Sequence, residues 1–272
     1  MLATFVIFLR EGIEASMIVS ILFAYLDRIG QRQHFRDVLV GVAAALVLAA
    51  GGGVVAYVTI RAYAGSRVQT IFETCTFVVA AVVLTYMTFW MRSHARSVAS
   101  DLRTRAESAI GRGERFGLGL LAFQAVGREG LETAVFTLAI VFATGTHGVL
   151  LGGALGLAAA LVMAFAIYRL GRKINLGAFF AWIGGILMVF AAGLVADTVE
   201  NLQQLGWVRV GDHPLWDTAH WMSEASSLGD VFHSLFGYAQ QPTPLQLGAY
   251  LAYLAAALGT FVLLDRRSRR RV

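Results

Sequence analysis

The chain has 272 residues, 57% of them hydrophobic and 14% charged, with a mean hydropathy of +0.67. An ordinary soluble domain carries roughly 25% charged residues, so a water-soluble globular protein is excluded and a membrane protein expected. A net charge of +5 and a pI near 9.7 could suit nucleic acid, but the basic residues fall between apolar runs, and no nucleic-acid partner is expected.

A hydrocarbon core of about 30 Å is crossed by about 20 helical residues. Seven runs of that kind follow one another: Leu2 to Leu26, Val38 to Ile60, Ile71 to Met91, Phe116 to Ala143, Gly148 to Leu170, Gly177 to Asp197 and Leu245 to Leu264. The first has no basic region ahead of it and no small-residue cleavage site behind it, so it reads as a retained helix. The single Cys75, in the third run, can form no internal disulfide and reads as a small apolar residue. Counted by alternate connections, Lys and Arg divide 17 against 3, with the rich side holding Arg28 to Arg36, Arg92 to Arg115, Arg169 to Lys173 and the terminal "RRSRRR". By the positive-inside rule the N-terminus is outside and the C-terminus cytoplasmic.

The first span is interrupted by "REGIEA", Arg10 to Ala15, and the fourth by "REGLET", Arg128 to Thr133. Arg10, Glu11 and Glu14 recur as Arg128, Glu129 and Glu132, each 118 residues later. Three spans separate the copies, so they run in opposite directions through the membrane, the pattern of 3+3 inverted-repeat transporters with a site near the midplane. Repeat 1 covers about residues 1–92 and repeat 2 about 116–200 of a single permease domain, followed by an external loop at 198–244 and a seventh helix at 245–264. The Glu–Glu spacing of i, i+3 and the Arg–Glu spacing of i, i+4 put all three charges on one broad helix face. Gly12 and Gly130 keep that face low, for the approach of a neighbouring helix or of an ion.

A charge at the bilayer centre costs about 2.5 to 3.5 kcal/mol on insertion scales. Six such residues are an expensive way to glue helices as plain salt bridges, although that structural reading stands beside the functional one. Four glutamates and two arginines sum to −2, which calls for a cation, and carboxylate oxygens suit hard ions rather than Cu(I). Met87 and Met91 read as packing. All six histidines, His34, His94, His147, His213, His220 and His233, lie in loops or at their edges, so the Glu-x-x-His pattern of di-iron bundles is missing. Glu73 opens the third span, either as a solvated interfacial acid or as an extension of the ion path.

The doubled "REGxE" motif resembles that of the iron permeases that work beside ferroxidases. The resemblance runs through "FE" at Phe72 and Glu73, "FWMR" at Phe89 to Arg92, "GRKINLGAFF" at Gly171 to Phe180, "AAGLVA" at Ala191 to Ala196, "PLWD" at Pro214 to Asp217 and "LFGY" at Leu235 to Tyr238. It implies an all-α, seven-helix permease of the cytoplasmic membrane. Glu11, Glu14, Glu129 and Glu132 would be its iron ligands, Arg10 and Arg128 their charge partners, and Glu73 an accessory ligand. It further implies iron as transported substrate with no tightly bound cofactor. Ferrous ion would be oxidised outside by a ferroxidase, peroxidase or cupredoxin-like partner and passed inward as ferric ion. The chain departs from the family at "DTVENLQQ", where Asp197 and Glu200 remain as acids of an outer mouth or as a plain solvated helix end. Another cation such as manganese or lead, and a membrane-embedded metalloenzyme, are the competing readings.

In the external segment, Leu228, Val231, Phe232, Leu235 and Phe236 keep helical spacing after the start signal of Ser227 and Asp230. A short amphipathic helix is expected there, packed on the bundle or the interface, or else docking an iron-handling partner with help from Asp212, His213, Asp217 and His220. No phosphate-binding loop is present, since Gly51 to Gly53 lies inside a span, and no ATP hydrolysis is expected.

Overall fold

Hydrocarbon offers no partner to a peptide group, so an apolar run of this length pairs its backbone within itself as a helix. The computed structural model, which describes residues 1–94, 102, 104–108, 117–170, 176–224 and 226–269, has no strand among those residues. Its long helices are α1 (Leu2–Arg28), α2 (Phe35–Arg61), α3 (Arg67–His94), α4 (Gly117–Thr144), α5 (Val149–Leu170) and α6 (Leu176–Gln204). A short α7 (Ser227–Phe236) and a long α8 (Pro244–Arg269) follow. The basic connection from Arg92 to Arg115 and the arginine-rich tail fall largely outside the described residues.

The helices overrun the apolar runs at their ends because polar turns outside hydrocarbon remain helical. The largest overrun is in α6, which continues past Asp197 to Gln204 and thereby carries Glu200 on a helix instead of in a loop. Four helices, α2, α3, α5 and α6, are long and apolar enough to cross a membrane. Helices α1 and α4 are as long, 27 and 28 residues, but each spends three central positions on an arginine and two glutamates.

Helix α1 packs chiefly on α5, α2 on α4, α3 on α6 and α6 on α8. Small residues bring the first two pairs together, since membrane helices associate through close van der Waals fit rather than through exclusion from lipid. Along α1 and α5, a Cβ built on Gly152 would lie 2.4 Å from the Met1 carbonyl oxygen, one on Gly156 2.5 Å from that of Phe5, and one on Gly12 2.7 Å from the Ala160 Cβ. The register runs parallel. Along α2 and α4, a Cβ on Gly41 would lie 2.1 Å from the Gly119 carbonyl oxygen and one on Gly130 2.9 Å from the Ala49 Cβ.

Two apolar clusters result. One joins Ala3 and Ile7 of α1 to Phe136, Ala139 and Ile140 of α4, with Phe77, Leu84, Leu187 and Leu194. The other joins Ile18, Leu22 and Leu26 of α1 to Leu118, Leu121 and Val126 of α4. The start of α1 thus meets the end of α4 and the reverse, so the two helices are antiparallel, and both charged motifs fall in the interval between the clusters.

The short helix α7 begins one residue earlier in its capping than the sequence suggests. Ser226, with extended backbone, is the N-cap, and its Oγ accepts the Gly229 N–H at 3.0 Å. At the other end Gly237 takes φ +65°, the left-handed C-cap glycine provides at no Cβ penalty. Leu235 packs on the first cluster, whereas Leu228, Phe232 and Phe236 face outward, as for a helix lying at a membrane interface.

Candidate carboxylate site

Each motif folds its charges back on itself. Arg10 donates from Nη1 to Glu11 Oε1 at 2.7 Å, and its Nε stands 3.1 Å from Glu14 Oε1. Arg128 repeats the arrangement: Nη2 and Nε reach Glu129 Oε1 at 3.0 and 3.2 Å, and Nε is 3.5 Å from Glu132 Oε1. The i, i+1 and i, i+4 geometry is thus the same in both copies.

The antiparallel crossing brings the copies together. One carboxylate oxygen from each of Glu11, Glu14 and Glu129 lies within 4.8 Å of the others, and all three residues are buried. Glu132 stands beside this trio, 12% exposed and tied to Arg128. Glu11 Oε2, Glu129 Oε2 and Glu132 Oε2 are buried with no hydrogen-bond partner, and Glu14 Oε1 has only its ion pair with Arg10 Nε. Buried acceptors are nearly always paired, and three unpaired carboxylate oxygens here are of the hard-ligand type that could hold a cation. Arg10 Nη2 and Thr4 Oγ1 are buried and unpartnered as well.

The glycines of the motifs serve helix approach. Gly12 lies against Ala160 of α5 and Gly130 against Ala49 of α2, so each charged face is turned inward while its glycine seats a neighbour.

The other sequence candidates stand apart. Glu73, on α3, accepts Gln69 Nε2 at 2.7 Å and belongs to no carboxylate group. Glu200 accepts Gln204 and Gln246, both at 3.2 Å. Asp197 lines a small crevice with Thr144, Gly193, His233 and Ser234. Asp212 and His213 are exposed and 3.8 Å apart. Asp217 caps a turn, accepting the Ala219 N–H at 2.8 Å and Gln241 Nε2 at 2.7 Å, and those bonds hold its carboxyl below the usual range. Among the described residues no histidine joins a group of three ligands.

Sequence reading missed two partners. His233, noted only as a loop-edge histidine, donates from Nδ1 to the Tyr238 carbonyl at 2.7 Å. Burial alone would lower its pKa, but Asp197, the Tyr238 carbonyl, Glu224 and Glu200 together raise it. Its position on the flank of the amphipathic helix, beside the outward stripe, was the available signal. The second is Trp90, whose ring centroid lies 5.2 Å from the Arg128 guanidinium carbon; only its place within "FWMR" marked it.

The model of the iron permease FTR1 family matches residues 1–267. The chain is 35% identical over 268 residues to a protein named "Ferrous iron permease EfeU" from Escherichia coli O6:K15:H31 (strain 536 / UPEC), covering 98% of this chain and 97% of that one. It is 36% identical to the protein of the same name from Yersinia pestis, over 98% and 95% of the two chains. No solved structure matches.

Proposed function

The chain belongs to the iron permease FTR1 family, and from that premise we propose that it carries iron inward across the cytoplasmic membrane through the carboxylates of its two motifs. It is a membrane permease rather than an enzyme. The observation that carries the site assignment is the buried trio of Glu11, Glu14 and Glu129 within 4.8 Å, with Glu11 Oε2 and Glu129 Oε2 unpaired. Modest side-chain movement would bring those oxygens onto one ion.

Packing supports a 3+3 inverted repeat. Exchanging α1, α2 and α3 for α4, α5 and α6 turns the α1–α5 contact into α4–α2 and returns the α3–α6 contact to itself. The motif glycines obey the same exchange, Gly12 on α5 and Gly130 on α2. With α8 as a seventh span, the 17-to-3 division of basic residues supports an outer N-terminus and a cytoplasmic C-terminus, and alternating access would rock one repeat against the other.

The charge of the site bears on valence. Four glutamates and two arginines sum to −2, which Fe2+ neutralises, and Glu73, which would make it −3, lies apart. Ferrous ion is therefore the form this arrangement favours, and it is the form named for the relatives. Ferric ion delivered by an external ferroxidase, peroxidase or cupredoxin-like partner is the second reading, favoured by the all-carboxylate ligand set.

Radioactive iron uptake by proteoliposomes, with ascorbate to hold Fe2+ or with ferric citrate, tests both points. Loss of uptake in Glu14→Gln and Glu129→Gln is expected, and undiminished uptake in both would sink the site. Uptake of ferric citrate but not of Fe2+ would overturn the preference for ferrous ion.

A further inference from the structure

The two arginines occupy opposite sides of the carboxylates. Each precedes its glutamates in sequence, and side chains on a helix lean toward the N-terminal end. Because α1 and α4 are antiparallel, Arg10 extends toward the cluster formed by Ala3, Ile7 and Phe136, and Arg128 toward the one formed by Leu118 and Val126.

Their surroundings differ sharply. The Arg10 side chain is 3% exposed and the Arg128 side chain 48%. A guanidinium facing lipid is costly, so an exposed Arg128 looks onto a polar path, on the side of the basic connection between α3 and α4. There it lies over the half-buried Trp90 near the end of α3, in cation–π range. Arg10 has no such alternative; its described partners are Glu11 and Glu14, and its Nη2 is buried and unpaired.

A cation that binds the carboxylates must compete with both arginines for the same oxygens. An arginine with no second seat stays and blocks its side by like-charge repulsion, whereas one with a second seat can yield.

We propose that Arg10 and Arg128 are the two gates of the carboxylate site, one on each side of it, and that Trp90 is the seat that receives the Arg128 guanidinium when a cation takes its glutamates. In the arrangement described both arginines hold their glutamates, Arg10 enclosed and Arg128 exposed and already over its seat. Trp90 is thus a positioning residue for transport: it acts on the ion through Arg128. The inference rests on the reading of the glutamates as the transport site.

Uptake kinetics of Fe2+ in proteoliposomes test the seat. Replacing Trp90 by Leu leaves Arg128 on the carboxylates, and KM should rise about three- to tenfold, the scale of a partly desolvated cation–π contact, with Vmax per protein held within about twofold. Trp90→Phe keeps an aromatic face and should recover most of the loss. A merely structural tryptophan would lower Vmax with the amount of inserted protein, and an unchanged KM in Trp90→Leu overturns the seat. The gates are tested by Arg10→Cys and Arg128→Cys in a Cys75→Ala background with a membrane-impermeant cationic thiol reagent. Arg128→Cys should react from the basic-loop side and Arg10→Cys should not. Reaction of both from that side, or of neither, overturns the gate assignment, whereas full uptake by Glu14→Gln would instead remove the site beneath it.

Discussion

Glu14 and Glu129, from helices separated by two others in the chain, bring carboxylate oxygens within 4.8 Å of each other in a buried interval between two apolar clusters. Like charges this close in a medium of low dielectric repel strongly unless a cation or an arginine lies between them. The glutamates should therefore be unequal in function. Gln at Glu11, Glu14 or Glu129 should lower iron uptake at least about tenfold, since one good charged ligand is worth a kcal/mol or more. Gln at Glu132, outside the trio, should lower it less, and Gln at Glu73 should leave it within about twofold. Rates that rank Glu73 with the trio would contradict this geometry.

The motif glycines should behave as packing positions. Ala at Gly12 would put a Cβ 2.7 Å from that of Ala160, and overpacking of this kind destabilises by about 1 to 3 kcal/mol. Gly12→Ala should lower the thermal midpoint of the detergent-solubilised protein, and the pair Gly12→Ala with Ala160→Gly should restore it. Failure of the second change to rescue would mean that Gly12 is there for the ion and not for α5.

The basic residues predict an outer N-terminus and a cytoplasmic C-terminus. A fluorescent protein fused at the C-terminus should fold and fluoresce in the cytoplasm, and alkaline phosphatase fused there should be inactive. The reverse pattern would invert every assignment of inner and outer side made here.

Helix α7 should loosen as pH rises. The pKa of His233 is raised above its unfolded value of about 6.5, because the field of Asp197, Glu224, Glu200 and the Tyr238 carbonyl outweighs its burial. A raised pKa means the folded state holds the proton more tightly. The stabilisation is fully present below pH ~6.5 and is lost as pH climbs through the higher folded pKa. Hydrogen exchange of the α7 amides should accelerate across that interval, and His233→Asn should remove the dependence. Exchange that is flat with pH in the unaltered protein would rule it out.

Much of this was legible in residues alone, for reasons that can be named. Helices such as α2 are visible because hydrocarbon forces a long apolar run to satisfy its own backbone. The candidate site is visible because charge is so unfavourable at that depth that Arg10, Glu11 and Glu14 stand out, and they recur at Arg128, Glu129 and Glu132. The N-cap of α7 was misjudged by one residue because Ser226 and Ser227 carry the same chemistry, and only backbone direction separates them.

The sequence by itself determined the long apolar helices and the doubled motif, since these depend on hydropathy and spacing. Only the tertiary structure decided which glutamates lie together, that Glu73 is left to Gln69, that Gly12 and Gly130 seat neighbouring helices, and that Arg128 lies over Trp90 while Arg10 is enclosed. The rotation and crossing of α1 against α4 settle those matters. They are set by the fit of small residues on α2 and α5, which no periodicity along a single helix encodes.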